Sequence, residues 1–220
     1  MPTPRYFVLT ALRREARAIA RAFGARTPRG NTPVELPGCR VRTELYVVGM
    51  GAIRIPDLSG QAVAGIIMAG LAGALDPSLK VGDVLMDQSS TWRASRLNYK
   101  RVWFHGADHI VRTAEEKSQL FGQTGSALVE MENAAVKRAA KSFNLPFLGL
   151  RAISDTAAES LNPAALELID PYGSLRVGSL IKATLRSPKL VQELRRLARS
   201  SAVALDALAT TVREVLAPAD

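Results

Sequence analysis

The sequence predicts an α/β fold: a single-domain three-layer sandwich with a central mixed sheet flanked by helices. Three observations carry this expectation. Short apolar runs alternate with segments of helical period over residues 6–154. At 220 residues the chain can bury one substantial core and is short for two. It is 47% hydrophobic, yet its longest apolar stretch, residues 62–75, is too short to span a bilayer.

The elements follow in order. Residues 6–10 read as a first strand, and residues 12–23 as a helix with Leu12, Ala16, Ile19, Ala20 and Phe23 on one side. A polar Gly/Pro-rich connection leads to a strand over residues 41–48, a helix ending near Ala64, and strands over 65–70 and 81–87. Gly49-Met50-Gly51 and Gly70-Leu71-Ala72-Gly73 read as glycine turns after strands, and neither completes a dinucleotide fingerprint or a Walker loop. Residues 91–113 are irregular around a strand at 99–104. Strand 127–130, helix 131–144 and strand 146–154 complete the alternation.

From Pro188 the pattern is helical, with Leu190, Leu194, Leu197, Ser201, Leu205, Leu208 and Val212 on one stripe. Together with the basic amphipathic stretch 175–186, residues 174–217 read as a C-terminal helical extension of the domain. It would pack on the sheet or on a partner subunit, with membrane-surface contact as the alternative.

Three acids sit at the ends of predicted elements, where small-molecule sites in α/β sheets lie. Glu132 opens the run MENAAVKRAAKSFN in line with Val136, Ala139 and Phe143, on the core side of the helix. Asp155 ends the apolar run PFLGLRAISD. Glu15 borders the buried face of the first helix, just past a strand end. Each has an ordinary explanation as well. Glu132 could cap its helix, Asp155 could serve a turn ahead of the capping-box pattern Thr156-Ala-Ala-Glu159, and Glu15 could form a surface ion pair with Arg13, Arg14, Arg17 or Arg21, worth under about 1 kcal/mol.

A net charge of +9 and a pI near 10.2 point to an acidic partner, whether nucleic acid, a membrane surface or an anionic substrate. The basic residues are dispersed, aromatics are few, and no zinc-finger or RNP-like spacing appears, so nucleic acid is not the expected partner. His105, Asp108 and His109 read as a surface loop rather than a metal site, and no Gly-x-Ser-x-Gly elbow is present. The single cysteine, Cys39, excludes an intramolecular disulfide. It fits the cytoplasm, as does a first strand that begins without a charged, apolar leader.

Three segments, LTALRREARAI, IIMAGLAGALDPSLKVGDVLM and VEMENAAVKRAAKSFNLPFLGLRAISDTA, resemble the purine nucleoside phosphorylase and nucleosidase superfamily. Most similar is the methylthioadenosine/S-adenosylhomocysteine nucleosidase type, while the basic tail DPYGSLRVGSLIKATLRSPKLVQELRRLARSS resembles the hopanoid-associated branch. The resemblance implies a nucleoside phosphorylase-like fold, a homodimer, no cofactor and no metal. It implies hydrolysis of the N-glycosidic bond of an adenine nucleoside (methylthioadenosine, S-adenosylhomocysteine or an adenosylhopane-like molecule) with release of adenine.

In that reading Glu15 is the water-activating base and Asp155 the acid at N7 of the leaving purine, supported by Arg151 and Ser154. Glu132 holds the ribose hydroxyls, Met131 lies beside the sugar, and the backbone of Ala72 and Gly73 lines the ribose. Asp155 must then bring a proton to N7, which calls for burial or a neighbouring carboxylate. Leu71 departs from the family by standing where many relatives have a small hydroxyl residue, and no base-stacking aromatic is identified within residues 91–125. Two alternatives remain: a phosphate-dependent phosphorylase, which Glu15 disfavours because its charge would repel phosphate, and a non-catalytic basic protein that binds nucleotides, nucleic acid or a membrane surface.

Overall fold

The computed structural model describes residues 3–30, 32–92, 99–163 and 188–218. Among them run nine strands: β1 (Arg5–Thr10), β2 (Val34–Leu36), β3 (Thr43–Val47), β4 (Val63–Ala74), β5 (Val84–Asp87), β6 (Arg101–Val102), β7 (Phe104–Gly106), β8 (Leu128–Glu130) and β9 (Phe147–Asp155). The helices are α1 (Arg13–Ala22), α2 (Ala114–Thr124), α3 (Asn133–Ser142) and α4 (Pro188–Leu216). Strand order is β2-β3-β1-β4-β9-β5-β6, with β8 added antiparallel to the end of β4 and β7 pairing with β8. The sheet is mixed, as expected.

Its centre is parallel and covered on both faces, which is why β1, β4 and β9 are nearly continuous apolar runs. On one face Ala16, Ile19 and Ala20 of α1 and Leu208, Val212 and Leu216 of α4 pack against Val8, Ile67, Leu148 and Leu150. On the other, Val136 and Ala140 of α3 pack against Phe7, Leu9, Ile66, Met68 and Phe147. These are the three layers.

Several expectations are corrected. No helix ends near Ala64. Residues 49–62 hold only a 3-10 turn at Met50–Ala52, opened by Gly49 and Gly51 at φ of 80° and 72°, a left-handed backbone that breaks an α-helix. Gly70-Leu71-Ala72-Gly73 is not a turn either. It lies inside β4, which pairs with β9 through Gly70↔Arg151 and Gly73↔Asp155.

Strand β2 and helix α2 were not foreseen. The signal for α2 was present as a capping box, in which Glu116 N–H donates to Thr113 Oγ1 (3.1 Å) and Thr113 N–H donates to Glu116 Oε2 (3.0 Å). The similar pattern at Thr156 and Glu159 closes a turn instead, and residues 157–162 are not helical. The basic stretch 175–186 lies outside the described residues. No described helix is long and apolar enough to cross a membrane.

Candidate active site

A cavity of about 200 Å³ opens beyond the ends of β1, β4, β8 and β9, and all three acids singled out from sequence line it. Met50, Leu71, Ala72, Gly73, Met131 and Ser154 line it too. A larger, open hollow between α1 and residues 25–34 gathers Arg13, Arg17, Arg26 and Arg29 but none of these acids. The converging chemistry is in the smaller cavity.

Glu15 is presented by the first turn of α1 and is 2% exposed. Its carboxylate accepts the N–H groups of Leu12 (2.8 Å) and Leu71 (2.9 Å), so it bridges the end of β1 to the middle of β4. It is no surface ion-pair partner. Burial pushes its pKa above the ordinary value, and the two backbone donors only partly oppose that.

Glu132 stands at the N-cap of α3, yet its side chain does not cap the helix. Glu130 does so, accepting the N–H groups of Glu132 (2.9 Å) and Asn133 (2.7 Å). Glu132 is thereby free to accept Gly51 N–H (3.0 Å) and a charged hydrogen bond from Arg151 Nη2 (3.2 Å). Burial raises its pKa, with Arg151 as the main opposing influence.

Arg151, expected to support Asp155, is fully buried and donates instead to Glu130 and Glu132. Burial works against its charge, but the carboxylates of Glu130, Glu132 and Glu15 outweigh it and raise its pKa. Glu15, Glu130 and Glu132 face the guanidinium groups of Arg151 and Arg14, three acids against two cations, so this part of the cavity carries an excess of negative charge when all are ionised. Such a field favours a cationic group.

The glycines of β4 make the assembly possible. A Cβ on Gly70 would lie 3.2 Å from Glu15 Oε1 and 3.3 Å from Arg151 Nη1, and one on Gly73 would lie 3.0 Å from Asp155 Oδ2. Asp155 is the last residue of β9 and 6% exposed. Ser154 Oγ lies 2.8 Å from its Oδ1 and 3.3 Å from the Ala72 carbonyl. Its Oδ2 forms an ion pair of 2.5 Å with Lys117, a residue not singled out from sequence. Burial or a neighbouring carboxylate was expected; Asp155 is buried, and its charged neighbour is an ammonium.

Sequence reasoning also missed Glu130 and the segment His109–Ile110–Val111, which lines the cavity together with Leu161. The Leu161 N–H donates to the Arg112 carbonyl (2.7 Å), joining those two walls. His109 keeps its ring exposed, 2.6 Å from the Asp108 carboxylate, as a surface loop would. Arg14 lines the cavity as well, with its Nε buried and without a hydrogen-bond partner.

Residues 85–186 match the model of the phosphorylase superfamily. The resemblance to that superfamily therefore holds. The fold is shared with the 5′-methylthioadenosine/S-adenosylhomocysteine nucleosidase of Helicobacter pylori, at a TM-score of 0.67 and 16% identity over 98% of each chain. It is shared with the futalosine hydrolase of the same organism (0.66, 17% identity, 97% of each chain). It is also shared with the 5′-methylthioadenosine nucleosidase of Arabidopsis thaliana (0.62, 16% identity, 98% of this chain and 95% of that one). A comparison with curated proteins gives no match. The architecture is that of the nucleosidases, and what the site does is argued from its own residues.

Proposed function

We propose that the protein hydrolyses the N-glycosidic bond of an adenine nucleoside and releases adenine. The observation that carries this reading is the convergence of Glu15, Glu132 and Asp155 on one cavity, presented by α1, by the N-cap of α3 and by the end of β9. Cleavage of the C1′–N9 bond builds positive charge on the sugar and negative charge on the purine, so a site whose own charges are separated in the complementary sense stabilises the transition state.

Glu15, with its raised pKa, is suited to take a proton from the attacking water as the oxygen bonds to C1′. Glu132 and Met131 face the sugar, where the carboxylate accepts ribose hydroxyls and favours the oxocarbenium-like ion. Asp155 serves the base: the C1′–N9 electrons pass to the purine, the Asp155 carboxyl group gives its proton to N7, and the proton that Glu15 takes from water replaces it by way of solvent once adenine has left. The division of labour between acids on opposite sides resembles that of an inverting glycosidase. No step calls for a metal or a cofactor.

The buried Glu15 carboxylate favours water over phosphate as nucleophile, because a second anion beside it would be repelled. Candidate nucleosides are methylthioadenosine, S-adenosylhomocysteine and an adenosylhopane-like molecule. A homodimer suits the exposed apolar side chains of Ile53 and Trp103.

The test is direct. In phosphate-free buffer the protein should release free base from at least one of these nucleosides, and Asp155→Asn should lose about 10²- to 10⁴-fold in kcat with an unchanged melting temperature. Release only with added phosphate, with ribose 1-phosphate as product, would establish phosphorolysis. No base release under either condition, with salt-sensitive binding to polyanions, would establish the non-catalytic reading.

A further inference from the structure

Lys117 lies four residues into α2 and is fully buried. Its ammonium has three protons and three acceptors: Asp155 Oδ2 at 2.5 Å, the Thr156 carbonyl at 2.8 Å and the Glu159 carbonyl at 2.9 Å. A buried ammonium is expensive unless fully paired, and an apolar side chain of similar length would fill the same space without that penalty. Here the charge is directed at the acid that lines the cavity. We propose, building on the nucleosidase reading, that Lys117 is a positioning residue for base departure: it fixes the Asp155 carboxylate and supplies positive charge on the purine side.

The geometry gives each part of that role a cause. Lys117 holds Oδ2 and Ser154 stands against Oδ1, so the two oxygens are inequivalent and rotation of the carboxylate would break both contacts. The other two donor bonds fasten residues 156–159 to α2. Ser160 Oγ accepts Ala114 N–H (3.1 Å), and the bond from Leu161 to Arg112 continues the same seam. The seam also holds Leu161 and Val111 in the cavity wall.

Electrostatics gives the second part. A lone carboxylate facing a purine that is gaining electrons would repel it, whereas an ion pair presents little net charge. With Glu15, Glu130 and Glu132 gathered elsewhere on the cavity wall, Lys117 offsets the Asp155 charge and so keeps the negative field away from the purine side. The residue acts through Asp155 and does not itself line the cavity.

A double-mutant cycle tests this. Lys117→Met and Lys117→Gln are made in the wild-type protein and in Asp155→Asn, and base release is followed with the nucleoside that the wild type hydrolyses. In the wild-type background kcat should fall at least about 30-fold with KM within about 3-fold, while in the Asp155→Asn background the further loss should be under about 3-fold. Equal fold losses in both backgrounds, or an undiminished kcat, overturn the proposal and leave Lys117 a structural residue. If Lys117→Met does not fold, Lys117→Gln, which keeps amide donors, carries the comparison, and melting curves decide which variant is read. Failure of the parent reading is distinguishable, since it appears as no base release by the wild type.

Discussion

In the proposed reaction Glu15 trades stability for reactivity. It is desolvated and its pKa lies above the ordinary 4.5, so the folded protein holds that proton more tightly than the unfolded chain does. Stability linked to Glu15 is therefore fully present below the ordinary value and is lost as pH rises through the folded-state value. As a base it must be ionised, so activity should fall on the acid side, with a midpoint above 4.5. For Glu15→Gln, kcat/KM should drop by about 10²- to 10⁴-fold. The melting temperature of the variant minus that of the wild type should become more positive between about pH 4 and about pH 8. Calorimetry at several pH values checks the slope. The slope is the better readout, because glutamine also loses one of the two acceptor oxygens that serve Leu12 and Leu71. A difference that is flat or moves the other way would mean that Glu15 is ionised at little expense.

Among the elements, β4 repays closest reading because its glycines permit side chains from neighbouring elements to meet over it. Gly73 faces Asp155, which Lys117 and Ser154 hold in place, so an added methyl group cannot be accommodated by a free swing of the carboxylate. Gly73→Ala should fold, with a change in stability within about 3 kcal/mol. It should lower kcat by about 10-fold or more, since small displacements of a reacting group are costly. Steady-state kinetics beside a urea melt separates the two effects. The same strand marks the limit of what the sequence showed. Apolar period alone identified β1, β9, α1 and α3 to within a residue or two, because each has one face set by packing. Gly70 and Gly73 looked like a turn because glycine is usually needed for backbone freedom, whereas here it is needed for space. Glu132 could be placed on the core side of α3 from spacing, but that Glu130 does the capping depends on how β8 enters the helix. Arg151 pairs with Glu130 and Glu132 rather than Asp155, and Asp155 pairs with Lys117, because three-dimensional pairing among buried charges leaves no periodic trace in the sequence.

At the scale of the molecule, α4 decides whether the C-terminal region is an appendage or part of the domain. Its C-terminal half buries Ala204, Leu208, Ala209, Val212 and Leu216, and these side chains belong to the same apolar cluster as Val8 of β1, Ile67 of β4 and Leu148 of β9. Without that half of the helix, α1 would be the only described helix on this face of the sheet. The earlier turns are more exposed and carry Arg195, Arg196 and Arg199, so the helix changes from a solvated basic element to a core element along its length. Leu208 is 0% exposed, and Leu208→Ala should destabilise the protein by about 2–5 kcal/mol through lost burial and a residual cavity. In a chain of this size that corresponds to about 2–4 °C in melting temperature per kcal/mol. Leu208 does not line the candidate site, so kcat at 25 °C should stay within about 2-fold. Chemical denaturation and kinetics on the same preparation test both halves. A loss of less than about 0.5 kcal/mol, the size expected of a surface substitution, would show that the packing of α4 on this face of the sheet is dispensable.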